Sequence, residues 1–415
     1  MQLDIYNLAK IESAKITLDG ITIIAGNNNT GKSTVGKVLC AVFSALSNMD
    51  ERVFNLKQNS VSRVVSDELA ADLIWENSIT SLISRFVKGD ISVEHLVDAV
   101  IHKTGKGGEN RTKAIDRLVS IRDIPMVDLK STVLRRYFDS VFNQQLQPLV
   151  PGHDATQIVL TVKGRPINIE FSGKSCRHNT TIRLIHKARY IDDPGVLSFL
   201  NSGYWGFFDV NTFTSELVSD VLSKRRKATA NPAAGAIDDI LNEEKFTAIG
   251  ELFQSALDGE VVVSPNKEFV FKDHKLSANL LLANLSMGMK SLALLQTLLK
   301  FGVLNAEDVL VLDEPEVHLH PEWQLIYAEL IVLLQKEFHL TILLTSHSPD
   351  FIQAVRLFSK KHDVFNKVNA YLAYTNGNGM SNLNHVNKDD WDSVFDKFLP
   401  AIDQLANLRE SIEED

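Results

Sequence analysis

Gly26-Asn27-Asn28-Asn29-Thr30-Gly31-Lys32-Ser33 is the stretch that decides the fold. The apolar run Ile21–Ala25 precedes it, and Val35, Val38, Leu39, Val42, Phe43 and Leu46 follow it at helical spacing. A buried strand, a loop of the form G-x-x-x-x-G-K-[ST] and a helix opening directly behind it are what a phosphate-cradling loop requires. The glycines let backbone N–H groups close around phosphate oxygens, and the helix N-terminus adds a partial positive charge. In that reading Lys32 reaches the β- and γ-phosphates and the Ser33 hydroxyl ligates Mg2+. The expected contact set runs from Gly26 through Thr34. A Gly/Asn-rich turn before an amphipathic helix is the plainer alternative, and the strand–loop–helix setting disfavours it.

Working outward, Leu3–Tyr6, Ala14–Leu18 and Ile21–Ala25 predict three short strands with a hairpin turn at Asp19-Gly20. Residues 47–149 carry helical periodicity, with glycines at 105, 107 and 108 marking a loop. The period changes to two between Pro148 and Pro194, where Gln157–Val162, Pro166–Phe171 and Thr181–Ile185 read as antiparallel strands. Residues 211–258 look helical with a break at Ala228–Gly235, and Glu260–Ser264 with Glu268–Phe271 form another hairpin. From Leu285 to Ser348 helix and apolar strand alternate, which is the pattern of a parallel sheet flanked by helices.

Val309–Leu312 is an apolar strand ending in Asp313-Glu314-Pro315. A parallel strand delivers its C-terminal residues to the ligand edge, so Asp313 is expected to hold Mg2+ and Glu314 to polarise the attacking water. Asp-Glu-Pro by itself marks a turn or helix start just as readily. His347, in Thr345-Ser346-His347-Ser348, follows the next apolar strand and is placed to contact a γ-phosphate. A lone His there is otherwise a structural hydrogen bonder. Leu285-Ser286-Met287-Gly288-Met289-Lys290 opens a long apolar-periodic helix that Ser286 caps. Beyond capping a core helix, that N-terminus can receive a phosphate held by another subunit.

Taken in order, Gly26–Ser33, Leu285–Lys290, Asp313-Glu314-Pro315 and His347 resemble an ABC-type ATPase of the RecF, SMC and OLD-like group. The resemblance covers residues 1–45 and 270–350 and implies an α/β head, with mixed and parallel sheet flanked by helices, carrying a largely helical insertion. It implies ATP and Mg2+ as cofactors, with Lys32, Glu314 and His347 catalytic and Ser33 and Asp313 on the metal. It further implies a homodimer or higher homo-oligomer in which Ser286, Gly288 and Lys290 of one head cap nucleotide held by another. The run Glu316–His320 resembles the group's D-loop. Met287 and Met289 stand where transporter ATPases commonly have Gly and Gln, which disfavours a transporter. The group's Q-loop glutamine has four candidates: Gln144, Gln145, Gln147 and Gln157. The expected division is head at 1–46, insertion at 47–149, strands and helices at 150–284, head at 285–350, and strands with an acidic helix at 351–415.

The 68 residues after His347 are too few for the Toprim domain of OLD nucleases, so no nuclease is expected in this chain. Standalone ATPases of this shape resemble the ATPase halves of antiphage systems such as Septu or PARIS, with a separate effector nuclease or toxin. The rivals are a RecF-like repair clamp on DNA and a nucleotide-gated scaffold with little hydrolysis.

Composition limits these readings. Two cysteines, Cys40 and Cys176, cannot build a disulfide scaffold, and no apolar run reaches membrane-spanning length, so a cytoplasmic protein without membrane contact is expected. His318 and His320 lack a carboxylate or cysteine at telling spacing, which argues against zinc. The net charge of −9 hides a split. Residues 388–415 hold nine acids and three bases, and read as an acidic amphipathic helix with Trp391, Phe395, Phe398 and Leu399 on its apolar side. Lys103–Arg136, at nine basic to four acidic residues, and Lys224–Lys227 are candidate DNA contacts. Equally, they are solvated faces.

Overall fold

The computed structural model describes residues 1–69, 77–149, 152, 155–180, 182–201, 211–230 and 248–396, with the isolated positions 404, 407 and 412. The expected break at Ala228–Gly235 falls largely outside those residues, as do the Lys227 side chain and most of the acidic tail.

Two compact units are present. The first comprises Met1–Ser44, Phe138–Gly173 and His178–Asp415; the second comprises Ala45–Tyr137 and Lys174–Arg177. The first is built on an 11-stranded sheet in the order β6-β5-β4-β1-β2-β14-β13-β3-β12-β11-β7. Its strands are β1 (Gln2–Leu8), β2 (Ile11–Thr17), β3 (Ile21–Gly26), β4 (Ala155–Val162), β5 (Arg165–Ser172), β6 (Ser175–Thr180), β7 (Ala188–Ile191), β11 (Val309–Asp313), β12 (Thr341–Ser346), β13 (Val368–Thr375) and β14 (Ser381–Val386). A separate three-stranded sheet holds β8 (Gly259–Val263), β9 (Phe269–Asp273) and β10 (Leu280–Leu281).

β1 and β2 form an antiparallel hairpin that turns inward Leu3, Ile5, Leu8, Ile11, Ala14 and Ile16. The hairpin expected at Asp19-Gly20 is not there. Gly20, at φ 70°, turns the chain into β3, which pairs in parallel with β12 and β13 instead of with β2. All six β3 residues are buried, and a strand apolar on both faces belongs in the middle of a covered sheet.

Thr181–Ile185 is a second correction. The chain pairs at β6 immediately after a Gly173-Lys174 turn, residues 182–187 are not strand, and Ile185 is 76% exposed. The polar β6 carries no alternation to read. The short β7, in which Arg189 pairs with Asp220 at 2.6 Å, likewise carries no period.

The parallel strands β7, β11, β12 and β3 lie side by side, with Ile191 opposite Leu312, Asp313 opposite Thr345 and Ser346 opposite Ala25. That register sends their C-terminal ends to one edge. The helices here are α1 (Lys32–Ser47), α7 (Thr212–Ala230), α8 (Met287–Lys300), α9 (Pro321–Phe338), α10 (Pro349–Lys361) and α11 (Ser393–Asp396). Leu295, Leu298, Leu330, Ile331 and Leu334 of α8 and α9 share one core with Ile23, Leu310 and Leu344 of the sheet. Trp391, expected on a tail helix, is buried beside Phe365 with ring centroids 5.7 Å apart.

The second unit is helical: α2 (Met49–Leu69), α3 (Asn77–Lys88), α4 (Val93–Thr104), α5 (Arg111–Arg122) and α6 (Met126–Val141). Ser92 caps α4 by accepting from His95 N–H at 3.1 Å. Gly105, at φ 65°, closes its other end by donating to the Ile101 carbonyl. Val61, Val65, Leu96, Val97, Val100 and Leu118 form part of its core.

Candidate nucleotide site

The loop between β3 and α1 has the backbone its glycines allow. Gly26 and Gly31 lie at φ 149° and 82°, and a Cβ on Gly26 would sit 2.6 Å from the Ala373 carbonyl oxygen. Asn29 takes φ 62°, a conformation Asn tolerates, while Thr30 Oγ1 donates to the Asn27 carbonyl at 2.8 Å. Asn27, Asn28 and Asn29 are exposed. Lys32 opens α1 and is buried, its Nζ donating to the carbonyls of Gly26 at 2.9 Å and Asn27 at 3.0 Å. The ammonium therefore lies over the loop.

The end of β11 supplies the carboxylates. Asp313 Oδ2 accepts from the Tyr190 hydroxyl at 2.6 Å, and its Oδ1 accepts from Thr345 Oγ1 on the neighbouring strand. Glu314 sits at φ 50°, held there as its N–H donates to both the carbonyl and Oγ1 of Thr345 at 3.1 Å. A left-handed glutamate costs about 1 kcal/mol and persists only where surroundings enforce it. Here it aims the carboxylate at an ammonium and an imidazole. Glu314 Oε1 lies 3.6 Å from Lys32 Nζ and 3.3 Å from His347 Nδ1. Lys32, Glu314 and His347, expected separately from sequence, thus meet in one line.

Ser33, Asp313, Glu314 and His318 line a cavity of about 220 Å³ with Asp192 and Ser291. Asp192 follows β7 and was not anticipated. Partial burial pushes its carboxyl above the usual range while Lys37 pulls it down. None of the four candidate Q-loop glutamines lines this cavity; Gln157 lies in β4 opposite Glu170 of β5, and Gln147 donates to the Gly173 carbonyl. Ser33 and a doubly held Asp313 offer the hard oxygen donors that suit Mg2+, which takes one or two protein ligands and keeps waters. Among the described residues, no group of three or more His, Cys, Asp or Glu is disposed to hold a metal ion by itself.

The 285–290 run divides. Ser286 is exposed and caps α8 by accepting from Met289 N–H at 3.3 Å. Gly288 is buried, and a Cβ there would stand 3.0 Å from the His318 carbonyl oxygen and 3.3 Å from the Trp323 ring. Its small size lets α8 lie against the loop leaving β11. Lys290 is buried too, its Nζ donating to the Ala283 carbonyl at 3.0 Å. Only Ser286 of the three is presented to solvent.

Three further residues were not singled out from sequence: Tyr190, Thr345 and Glu316. Thr345 and Glu316 stand inside quoted motifs, where their neighbours drew the reading. Tyr190 had no signal at all.

Residues 170–352 match the family described as an AAA domain, putative AbiEii toxin, type IV TA system. Among curated proteins no sequence matches. Solved structures similar to this chain include an SMC head bound to the C-winged helix domain of ScpA, at 12% identity over 94% of this chain and 97% of that one, TM-score 0.46. Another is the SMC head domain from Thermotoga maritima, at 12% identity over 93% and 98%, TM-score 0.38. A third, an Smc head with an extended coiled coil bound to the C-terminal domain of ScpA derived from Pyrococcus furiosus, aligns at 11% identity over 98% of both, TM-score 0.41. These likenesses are remote, and the weight rests on strand order and register. A glycine-rich loop after β3, carboxylates after β11 and a histidine after β12 share one parallel edge of a mixed sheet flanked by helices, the fold of an ABC-type P-loop ATPase head.

Proposed function

We propose that the chain binds ATP with Mg2+ at this edge and hydrolyses it. The observation that carries the reading is the contact line Lys32–Glu314–His347 beside Asp313, at the ends of three adjacent parallel strands. Backbone N–H groups of Gly26–Thr34 and the α1 N-terminus bind the phosphates, and Lys32 neutralises charge on the β- and γ-groups. Ser33 and Asp313 would hold Mg2+, and the bound ion would offset charge developing on the transferring phosphoryl group. Glu314 accepts a proton from water as the water oxygen bonds to the γ-phosphorus and the bridging P–O bond breaks, releasing ADP and phosphate. His347 orients Glu314 and faces the γ-phosphate.

The exposed Ser286 at the α8 N-terminus supports a second head closing over the nucleotide, in a homodimer or larger homo-oligomer. We read the ATPase as a switch for a separate effector, a nuclease or toxin, in antiphage defence. The toxin and toxin–antitoxin wording of the matched family supports that reading.

Glu314→Gln is expected to lower kcat by about 10²- to 10⁴-fold, the usual worth of a positioned base, and to accumulate an ATP-bound dimer in light scattering. Hydrolysis at the parental rate would remove Glu314 as the base. Lys32→Ala is expected to abolish nucleotide binding in calorimetry; unchanged affinity would sink the phosphate-loop reading. Cells carrying the parent should restrict phage and cells carrying Glu314→Gln should not. Equal plating on both would remove the defence role.

A further inference from the structure

Glu316 is a carboxylate that this scheme leaves without a task. It stands two residues past Glu314 and is 3% exposed. Its Oε1 accepts from the Ser346 hydroxyl at 2.5 Å and from His347 N–H at 3.3 Å, both at the exit of β12. Ser346 Oγ accepts in turn from Ser348 N–H at 3.1 Å, and the Ser348 hydroxyl caps α10. One carboxylate oxygen therefore organises the turn that carries His347. The backbone of Glu316 is anchored as well, its carbonyl accepting from Leu319 N–H at 3.0 Å and from Gln324 Nε2 at 3.4 Å. The other carboxylate oxygen, Oε2, is buried without a hydrogen-bond partner.

A buried acid with an unpaired oxygen is costly. Burial holds the Glu316 carboxyl above the usual range, against the opposing hydrogen bonds. Packing alone gives no reason for such a group between two strand exits, one bearing Glu314 and the other His347. Orientation does.

We propose that Glu316 is a positioning residue for hydrolysis, fixing the β12 exit through Ser346 Oγ and His347 N–H so that His347 stays against Glu314. The inference rests on the hydrolytic reading above. Glu316 makes no contact with nucleotide in this scheme and acts through His347.

Glu316→Ala is expected to lower kcat about 10- to 100-fold with KM nearly unchanged, because the loss falls on the transition state. Glu316→Gln keeps an acceptor for both donors and should restore most of that rate. A double-mutant cycle decides the route: in a His347→Ala background, Glu316→Ala should cost nothing further. Losses that multiply, or a kcat that neither single change alters, overturn the proposal. Should circular dichroism show Glu316→Ala unfolded, Ser346→Ala removes a donor to the same oxygen and carries the same expectations. The His347 ring resonances of the nucleotide-free protein provide a reading without turnover. They should move in Glu316→Ala and stay near the parental position in Glu316→Gln; resonances unmoved in both overturn the proposal. A parent that does not turn over ATP sinks the hydrolytic reading instead, and the ring resonances still report on Glu316.

Discussion

A carboxylate holds a divalent cation well only if its own orientation is already settled. Asp313 is settled by Tyr190 and Thr345, one donor to each oxygen. Burial pushes the Tyr190 hydroxyl well above its ordinary value, and the adjacent Asp313 carboxylate pushes it the same way, so it remains a donor throughout the working range. Tyr190→Phe removes that bond and nothing else of size. It should cost about 1.5–3 kcal/mol in urea unfolding, the range for a hydrogen bond to a charged group, and raise the Mg2+ concentration giving half-maximal turnover. An unchanged unfolding midpoint with unchanged Mg2+ dependence would show that Asp313 needs no such support. The place of Asp313 at the end of a buried strand was legible because Asp-Glu-Pro ends an apolar run. Its holder was not, since Tyr190 stands 123 residues away on a four-residue strand.

At the scale of elements, the proposed phosphate site depends on how closely α1 lies on the sheet. Gly36 sets that distance: a Cβ there would stand 2.7 Å from Val311 Cγ1 and 3.3 Å from the Tyr190 ring. Val311 is β-branched and buried on a strand paired on both sides, and it cannot swing aside. Gly36→Ala should therefore destabilise the head by about 1–3 kcal/mol, as overpacking does, and weaken ATP binding because α1 carries Lys32 and Ser33. Denaturant unfolding beside an ATP titration tests both; a variant that unfolds and binds like the parent would refute the close packing. The long apolar runs that became β3, β11 and β12 were readable, as were the β8–β9 hairpin and the helices around them. β6 and β7 were not, because one is polar at a sheet edge and the other too short to show a period. Asp19-Gly20 misled for a related reason: a turn sequence shows that the chain reverses without saying which strand it meets next.

For the whole molecule, net charge by segment says little until the pairing of each side chain is known. Of the basic residues between Lys103 and Arg136, Arg111 pairs with Asp98, Lys113 and Arg117 with Glu68, Arg122 with Asp123 and Lys130 with Asp50. In the other cluster, Arg225 donates to the Lys267 carbonyl and stacks over Phe269. Five of the nine basic side chains between Lys103 and Arg136 thus face a carboxylate of this chain. Glu68 shows the purpose, its carboxyl held below the usual range by hydrogen bonds from Lys113 and Arg117. A depressed carboxylate contributes stability that is complete above its unfolded value and is lost as pH falls through the folded one. Arg117→Met should therefore raise the pH at which helical circular dichroism is lost on acidification, and an unmoved acid midpoint would refute the role. By itself the sequence determined the strand, glycine-rich loop and helix around Gly26–Ser33, the helical periodicity of residues 47–149 and the apolar strands. Each of these depends on residues close together along the chain, through glycine conformations, caps and the period of burial. Only the tertiary structure decided that Lys32, Glu314 and His347 touch, that Tyr190 and Thr345 hold Asp313, and that Glu316 ties two strand exits together. Those contacts join positions roughly 30 to 280 residues apart. They are set by parallel strand register, which no local pattern encodes.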